Sequence, residues 1–166
     1  GGAWSREQIR AMVARKAIRL EELERGVSVL FPGAADVIRR AAAAMPIAIA
    51  SGARGEEIRR VLTQENLITC FTAIVSAEDT PASKPSPDPY LRALTLLAPR
   101  FDDRLNPSDC VAIEDSRWGL DSARAAGLRT VAVTNSYSAA ELQADLIIAS
   151  LKAMDLDRLV FLYSNR

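Results

Sequence analysis

Five short, almost wholly apolar segments recur along the chain, and helical patterns separate them: PIAIA at 46–50, AIVSA at 73–77, CVAI at 110–113, RTVAV at 129–133 and DLIIAS at 145–150. The intervening stretches, GEEIRRVL at 55–62, DPYLRALTLLA at 88–98, RWGLDSARAA at 117–126 and the shorter AAELQ at 139–143, repeat their apolar residues at helical spacing. Strands this short and uniformly apolar bury both faces, and helices between them serve as crossovers joining parallel neighbours. The expectation is an α/β fold, a Rossmann-like parallel sheet with helices on both faces.

Upstream the pattern differs. Ser5 with Gln8 three residues on forms a capping-box signature, and Ile9, Met12, Val13, Ile18, Leu20 and Leu23 continue at helical spacing until Gly26. Val27 to Gly33 reads as a linker, punctuated by Pro32-Gly33, before an alanine-rich helix from about Ala34 to Met45. The expected division is therefore residues 1–30, a helix and linker, and residues 31–166, the α/β core. A terminal helix is expected over 155–163. Asp155-Leu156-Asp157 begins that helix rather than forming a DxD motif, since no apolar strand feeds it.

Composition excludes several classes. Lys+Arg and Asp+Glu both number 21, the basic residues are scattered and aromatics are 5%, so neither nucleic acid nor an anionic membrane is an expected partner. No apolar run is long enough to span a bilayer, and GGAWSREQIR has no signal-peptide core. Cys70 and Cys110 lie far apart and are expected as small buried thiols in a cytoplasmic protein. There is no histidine, which removes imidazole catalysis and His-based zinc sites. Chemistry must run on carboxylates, Lys, Ser and a hard metal.

In open parallel sheets, ligands sit beyond the carboxyl ends of the strands. The first strand ends on Ser51-Gly52 and the third on Glu114-Asp115-Ser116. The second leads through Glu78-Asp79 into a proline-stiffened loop carrying Lys84. A hydroxyl with backbone N–H groups around Gly52, at the start of the following helix, suits phosphate oxygens. Lysine neutralises a phosphoryl group, and adjacent carboxylates offer hard ligands for Mg²⁺. Each alone has a plain alternative: Ser51 as a helix N-cap, Lys84 as a solvated side chain, Glu114 and Asp115 as first-turn acids. Their order, each at the end of its own strand or in the loop after it, favours the phosphoryl-transfer reading. Trp118 and Tyr90 read as packing residues on their helices. No GxxxxGK[ST] or GxGxxG loop is present.

These stretches resemble the haloacid dehalogenase superfamily, in the branch of β-phosphoglucomutase-like and phosphoglycolate-phosphatase-like enzymes. The matching segments are FPGAADVIRRA at 31–41, IAIASGARGEEIRRVL at 47–62, FTAIVSAEDTPASKPSPDPYLRAL at 71–94 and CVAIEDSRWGLDSARAAGLRTVAVTN at 110–135. The resemblance implies that Ser51 and Gly52 bind the transferring phosphoryl group and that Lys84 neutralises it. It also implies that Glu114 and Asp115 are the Mg²⁺-binding acids, with Asp115 the direct ligand. The helix near the N-terminus resembles the last helix of the family's cap domain.

One family element has no counterpart here. The first motif, an apolar strand running into DxDGT, supplies the nucleophile and the general acid/base, and nothing in residues 1–30 matches it. The chain resembles a member missing about fifty N-terminal residues. The absent strand would lie centrally, between the Ser51 and Glu114 strands. A core so opened is expected to need an accessory contact or a longer chain. The implied function is a Mg²⁺-dependent phosphatase on a small phosphorylated metabolite, such as a sugar phosphate or phosphoglycolate, through an aspartyl-phosphate whose nucleophile is absent here. The chain alone is expected to be inactive. A phosphomutase and a non-catalytic phosphate- or metal-binding domain are the alternatives.

Overall fold

The structure, a computed structural model, describes residues 4–24, 26–157 and 159. The chain divides into two compact units, Gly1–Leu30 and Phe31–Arg166. In the first, α1 (Arg6–Glu24) opens with the expected capping box. The Ser5 N–H donates to Gln8 Oε1 at 2.8 Å, and the Gln8 N–H donates to Ser5 Oγ at 3.1 Å. Two of the orphan donors of the first turn are thus satisfied reciprocally.

In the second unit, α2 (Ala34–Ala44) starts after Gly33, whose φ of 89° lies in the left-handed region that glycine adopts without strain. There follow β1 (Ala48–Ala50), α3 (Gly55–Gln64), β2 (Ala73–Val75), α4 (Asp88–Leu97), β3 (Val111–Glu114), α5 (Arg117–Ala125), β4 (Arg129–Val133) and β5 (Leu146–Ile148). The expected helix at 139–143 is a single 3-10 turn, Ala139–Glu141. Of the expected terminal helix, Leu156, Asp157 and Leu159 are helical, and the remainder lies outside the described residues. No described helix is long and apolar enough to cross a membrane.

Among the described residues the strands form two parallel sheets, β1-β2 and β3-β4-β5. Val111 pairs with Arg129 and Val131 with Leu146, so β4 is central in the larger sheet. Its residues Thr130 to Val133 are all buried. Val131 packs with Val37 of α2 and Met154, whereas its neighbour Ala132 packs with Leu120 of α5 and Leu142. Successive strand residues face opposite sides, so helices cover both faces of this sheet. This is the α/β architecture that the uniformly apolar strands require. Cys70 and Cys110 are free thiols, half-buried rather than fully buried.

Candidate active site

The carboxyl ends of β1 and β3 open onto a cleft of about 400 Å³, within the size range of small-molecule sites. Ser51, Gly52, Lys84, Glu114 and Asp115 all line it, joined by Ser116 and Asn135 and by an apolar floor that includes Ile113 and Val133. The sequence-derived candidates are therefore brought together by the fold.

Ser51 sits just past β1, its N–H donating to Val75 O at 2.9 Å. It is not the N-cap of α3. That helix begins at Gly55 after Arg54, and Ser51 Oγ instead accepts from the Ala53 N–H at 3.1 Å. The hydroxyl proton remains available to a ligand. Gly52 likewise lies in the turn before α3 rather than at its first residue. Apart from its chain neighbours, no atom of the described residues stands within 4 Å of where its Cβ would be, so the backbone is open to an approaching group. The N-terminus of α3 is capped by another residue: Glu78 accepts from the Gly55 N–H and from Arg54 Nε, both at 3.1 Å. Those donors, the Gly55 N–H foremost, hold the Glu78 carboxyl below its ordinary range.

Lys84 is held by three elements. Its Nζ donates to Ala50 O at the end of β1, at 2.9 Å, and makes an ion pair with Glu114 at the end of β3. The loop carrying it is tied to α5, where the buried Ser122 hydroxyl donates to Ser86 O at 2.5 Å. The Lys84 and Glu114 side chains are only 18% and 10% exposed, which strengthens the pair over a surface one.

The two acids part company. Glu114 turns toward Lys84 and the α4 side, where Tyr90 OH donates to its Oε1 at 2.5 Å. Asp115 turns the other way, and its Oδ2 accepts from Ser136 Oγ at 2.5 Å. Burial, followed by the nearby Glu114 charge, raises the Tyr90 hydroxyl far above the usual phenol range, so it stays a donor. Ser116 caps α5, accepting from the Gly119 N–H at 3.1 Å.

The model of the haloacid dehalogenase-like hydrolases matches residues 3–127, about three quarters of the chain and every strand end just described except that of β4 and β5. The chain belongs to that family. Among its relatives, the protein named CbbY from Rhodobacter capsulatus is 38% identical over 113 residues, covering 66% of this chain and 47% of the relative. Hexitol phosphatase B from Escherichia coli strain K12 is 32% identical over 158 residues, 93% of this chain and 65% of the relative. The chain thus spans between about half and two thirds of these relatives' lengths. The solved structure of a CbbY mutant from Rhodobacter sphaeroides with xylulose-(1,5)bisphosphate superposes with a TM-score of 0.77 at 28% identity, over 92% of this chain and 68% of the other.

Four residues in or around this family member's cleft were misjudged or passed over in the sequence. Tyr90 does pack, at 8% exposure, but its hydroxyl also reaches Glu114. Its place in the first turn of α4, six residues after Lys84, was the available signal. Trp118 is not a packing residue, since 70% of it is exposed beside the start of α5. Asn135 and Ser136 follow β4; Asn135 ends the last of the matching segments, but neither residue stood out in the sequence.

Proposed function

We propose that the chain supplies the phosphate- and metal-binding half of a Mg²⁺-dependent phosphoryl-transfer site acting on a small phosphorylated metabolite of the sugar-phosphate class. The observation that carries this is the shared cleft of Ser51, Gly52, Lys84 and Asp115, delivered from separate strand ends. The Ser51 hydroxyl and the Gly52 N–H would bind phosphoryl oxygens. Lys84 has two of its three N–H donors engaged by Ala50 O and Glu114, leaving one for a phosphoryl oxygen.

The cleft residues fit Mg²⁺. Their donors are hard oxygens, and Mg²⁺ takes one or two carboxylates together with waters and substrate phosphate. Among the described residues no cluster of three acids, thiols or imidazoles gathers, so an all-protein cage is not the arrangement to expect. Asp115 would be the ligand, in a cleft that Asn135 also lines; Glu114 is committed to Lys84. When bound, the ion would supply charge neutralisation at the phosphoryl oxygens.

The attacking aspartate is proposed to come from an extended segment seated between β1 and β3, whose facing edges carry no strand partner among the described residues. On the same reading α1 is the remnant of a cap. Hydrolysis is favoured over phosphoryl relocation because the relative aligned with 93% of the chain is named a phosphatase. The sugar-phosphate class rests on that name and on the bisphosphate complexed with CbbY.

The test is hydrolysis of p-nitrophenyl phosphate with and without Mg²⁺. It uses the chain alone and a chimera carrying the N-terminal segment of the Rhodobacter capsulatus protein. The chain alone should be inactive and the chimera active with Mg²⁺. Lys84→Ala and Asp115→Ala should each lower the chimera's rate roughly a hundredfold. Undiminished rates in both variants would sink the assignment.

A further inference from the structure

We infer that Tyr90 is a positioning residue for Lys84, acting through Glu114, an inference that deepens the phosphate-binding reading of Lys84 and rests on it. The Glu114 carboxylate has no freedom to choose its place. Its Oε1 receives both the Lys84 ammonium and the Tyr90 hydroxyl, the latter at 2.5 Å. Its Oε2 lies 3.4 Å from Ser116 Oγ and occupies the recess left by Gly119, whose Cβ would fall 2.0 Å from it. Tyr90 also presents its ring to the ammonium, with Nζ 4.9 Å from the ring centroid. One side chain thus fixes both members of the ion pair, the acid through its hydroxyl and the lysine through its face.

The chemistry explains why this is needed. A lysine on a proline-flanked loop beside a lone carboxylate can follow that carboxylate wherever it swings. Glu114 stands next to Asp115, so a swing toward Asp115 would draw the ammonium off its Ala50 contact and bring a second negative charge nearer an incoming phosphate. A neutral donor inserted from α4 keeps Glu114 against Lys84 without itself carrying charge. Phenylalanine in place of Tyr90 keeps the ring and the packing and loses only that donor.

The experiment is competitive acetylation of the intact chain with acetic anhydride, read lysine by lysine by peptide mass spectrometry. Lys16 and Lys152, both exposed, are internal references. In the unaltered chain Lys84 should react more slowly than either. Tyr90→Phe should accelerate Lys84 roughly tenfold or more, the scale of one hydrogen bond to a charged group, and leave the references unchanged. Glu114→Gln should accelerate it as well, and adding Tyr90→Phe to Glu114→Gln should have little further effect. An unchanged Lys84 rate in Tyr90→Phe overturns the inference. So does equal acceleration of all three lysines, or the same increment in the Glu114→Gln background. Protection of Lys84 by inorganic phosphate tests the underlying reading separately: without protection that reading fails, whatever Tyr90→Phe does.

Discussion

A methyl group on Gly119 would stand 2.0 Å from Oε2 and 2.2 Å from Cδ of Glu114. The first turn of α5 is therefore shaped to seat the carboxylate that holds Lys84. The clash falls on the end of a side chain rather than on backbone, but that end is pinned by Lys84 and Tyr90. Gly119→Ala should keep the fold, lose about 1–3 kcal/mol of stability and abolish the slow acetylation of Lys84. Chemical denaturation with the labelling assay checks both, and an unaltered Lys84 rate would show the recess to be incidental.

Asp115 should carry the metal dependence. Mg²⁺ is expected to raise the thermal midpoint of the chain, and Asp115→Asn to remove that response while leaving Glu114 and Lys84 as they are. Ser136→Ala deletes one donor to Asp115 Oδ2, at 2.5 Å, and should weaken the Mg²⁺ response without eliminating it. A midpoint that answers to Mg²⁺ equally in all three proteins would place the ion elsewhere.

Much of this site is legible in the sequence. Short apolar strands leave polar residues only at their ends, so Ser51, Glu114 and Asp115 stood out against their neighbours, and with Lys84 of the loop after β2 they do line one cleft. The split between the two acids was not legible. They are adjacent in sequence, but adjacency at a strand end sends side chains to opposite sides, and what waits on each side comes from α4 and from the loop after β4. The cap of α3 was illegible for a related reason. Ser51 has the chemistry of a helix cap, yet Glu78, twenty-seven residues later in sequence, takes the α3 amide, and only tertiary structure brings it there. The exposure of Trp118 has no signature in a helical pattern, because an aromatic residue looks the same whether its face of the helix is covered or bare.

Stability away from the cleft should depend on Thr130 and Asp145. Thr130 is fully buried, and Asp145 Oδ2 accepts both its N–H, at 2.7 Å, and its hydroxyl, at 3.0 Å. The Asp145 N–H returns a bond to Thr130 Oγ1 at 3.2 Å. Asp145→Ala strands two buried donors at the start of β4 and should cost about 2–4 kcal/mol. Thr130→Val removes its own hydroxyl and should cost less, about 1–2 kcal/mol. Urea unfolding midpoints at constant m-value give the comparison, and the reverse order would contradict the bonding described.

Acid should destabilise the fold through three exposed carboxylates. Glu78 is held down chiefly by the Gly55 N–H, Asp79 by the Ser76 hydroxyl and N–H, and Glu141 by the Ser138 hydroxyl and N–H. All three lie below their ordinary values of 4.5 for Glu and 3.8 for Asp. A lowered folded value means stabilisation that is complete above the unfolded value and lost as pH falls through the folded one. The thermal midpoint should be flat from about pH 7 to pH 5 and then decline toward about pH 3. In Glu78→Gln the decline should be shallower.

The facing edges of β1 and β3 make the sharpest prediction about how the core is completed. The Ser51 N–H donates to Val75 O, and the Thr72 N–H donates to Ile47 O. Alternation along a parallel strand then turns the amides of Ala48 and Ala50 away from β2. On the other side the Arg129 N–H donates to Cys110 O, which turns the amides of Val111 and Ile113 away from β4. These four amides should exchange with deuterium faster than those of Val131 and Val133, which lie in the central β4. In the chimera with a relative's N-terminal segment, a strand entering between β1 and β3 would accept and donate along both edges. All four amides should then slow together. Slow exchange at Ala50 and Ile113 in the chain alone would mean that those edges already have partners, and the place proposed for the nucleophile's strand would be closed.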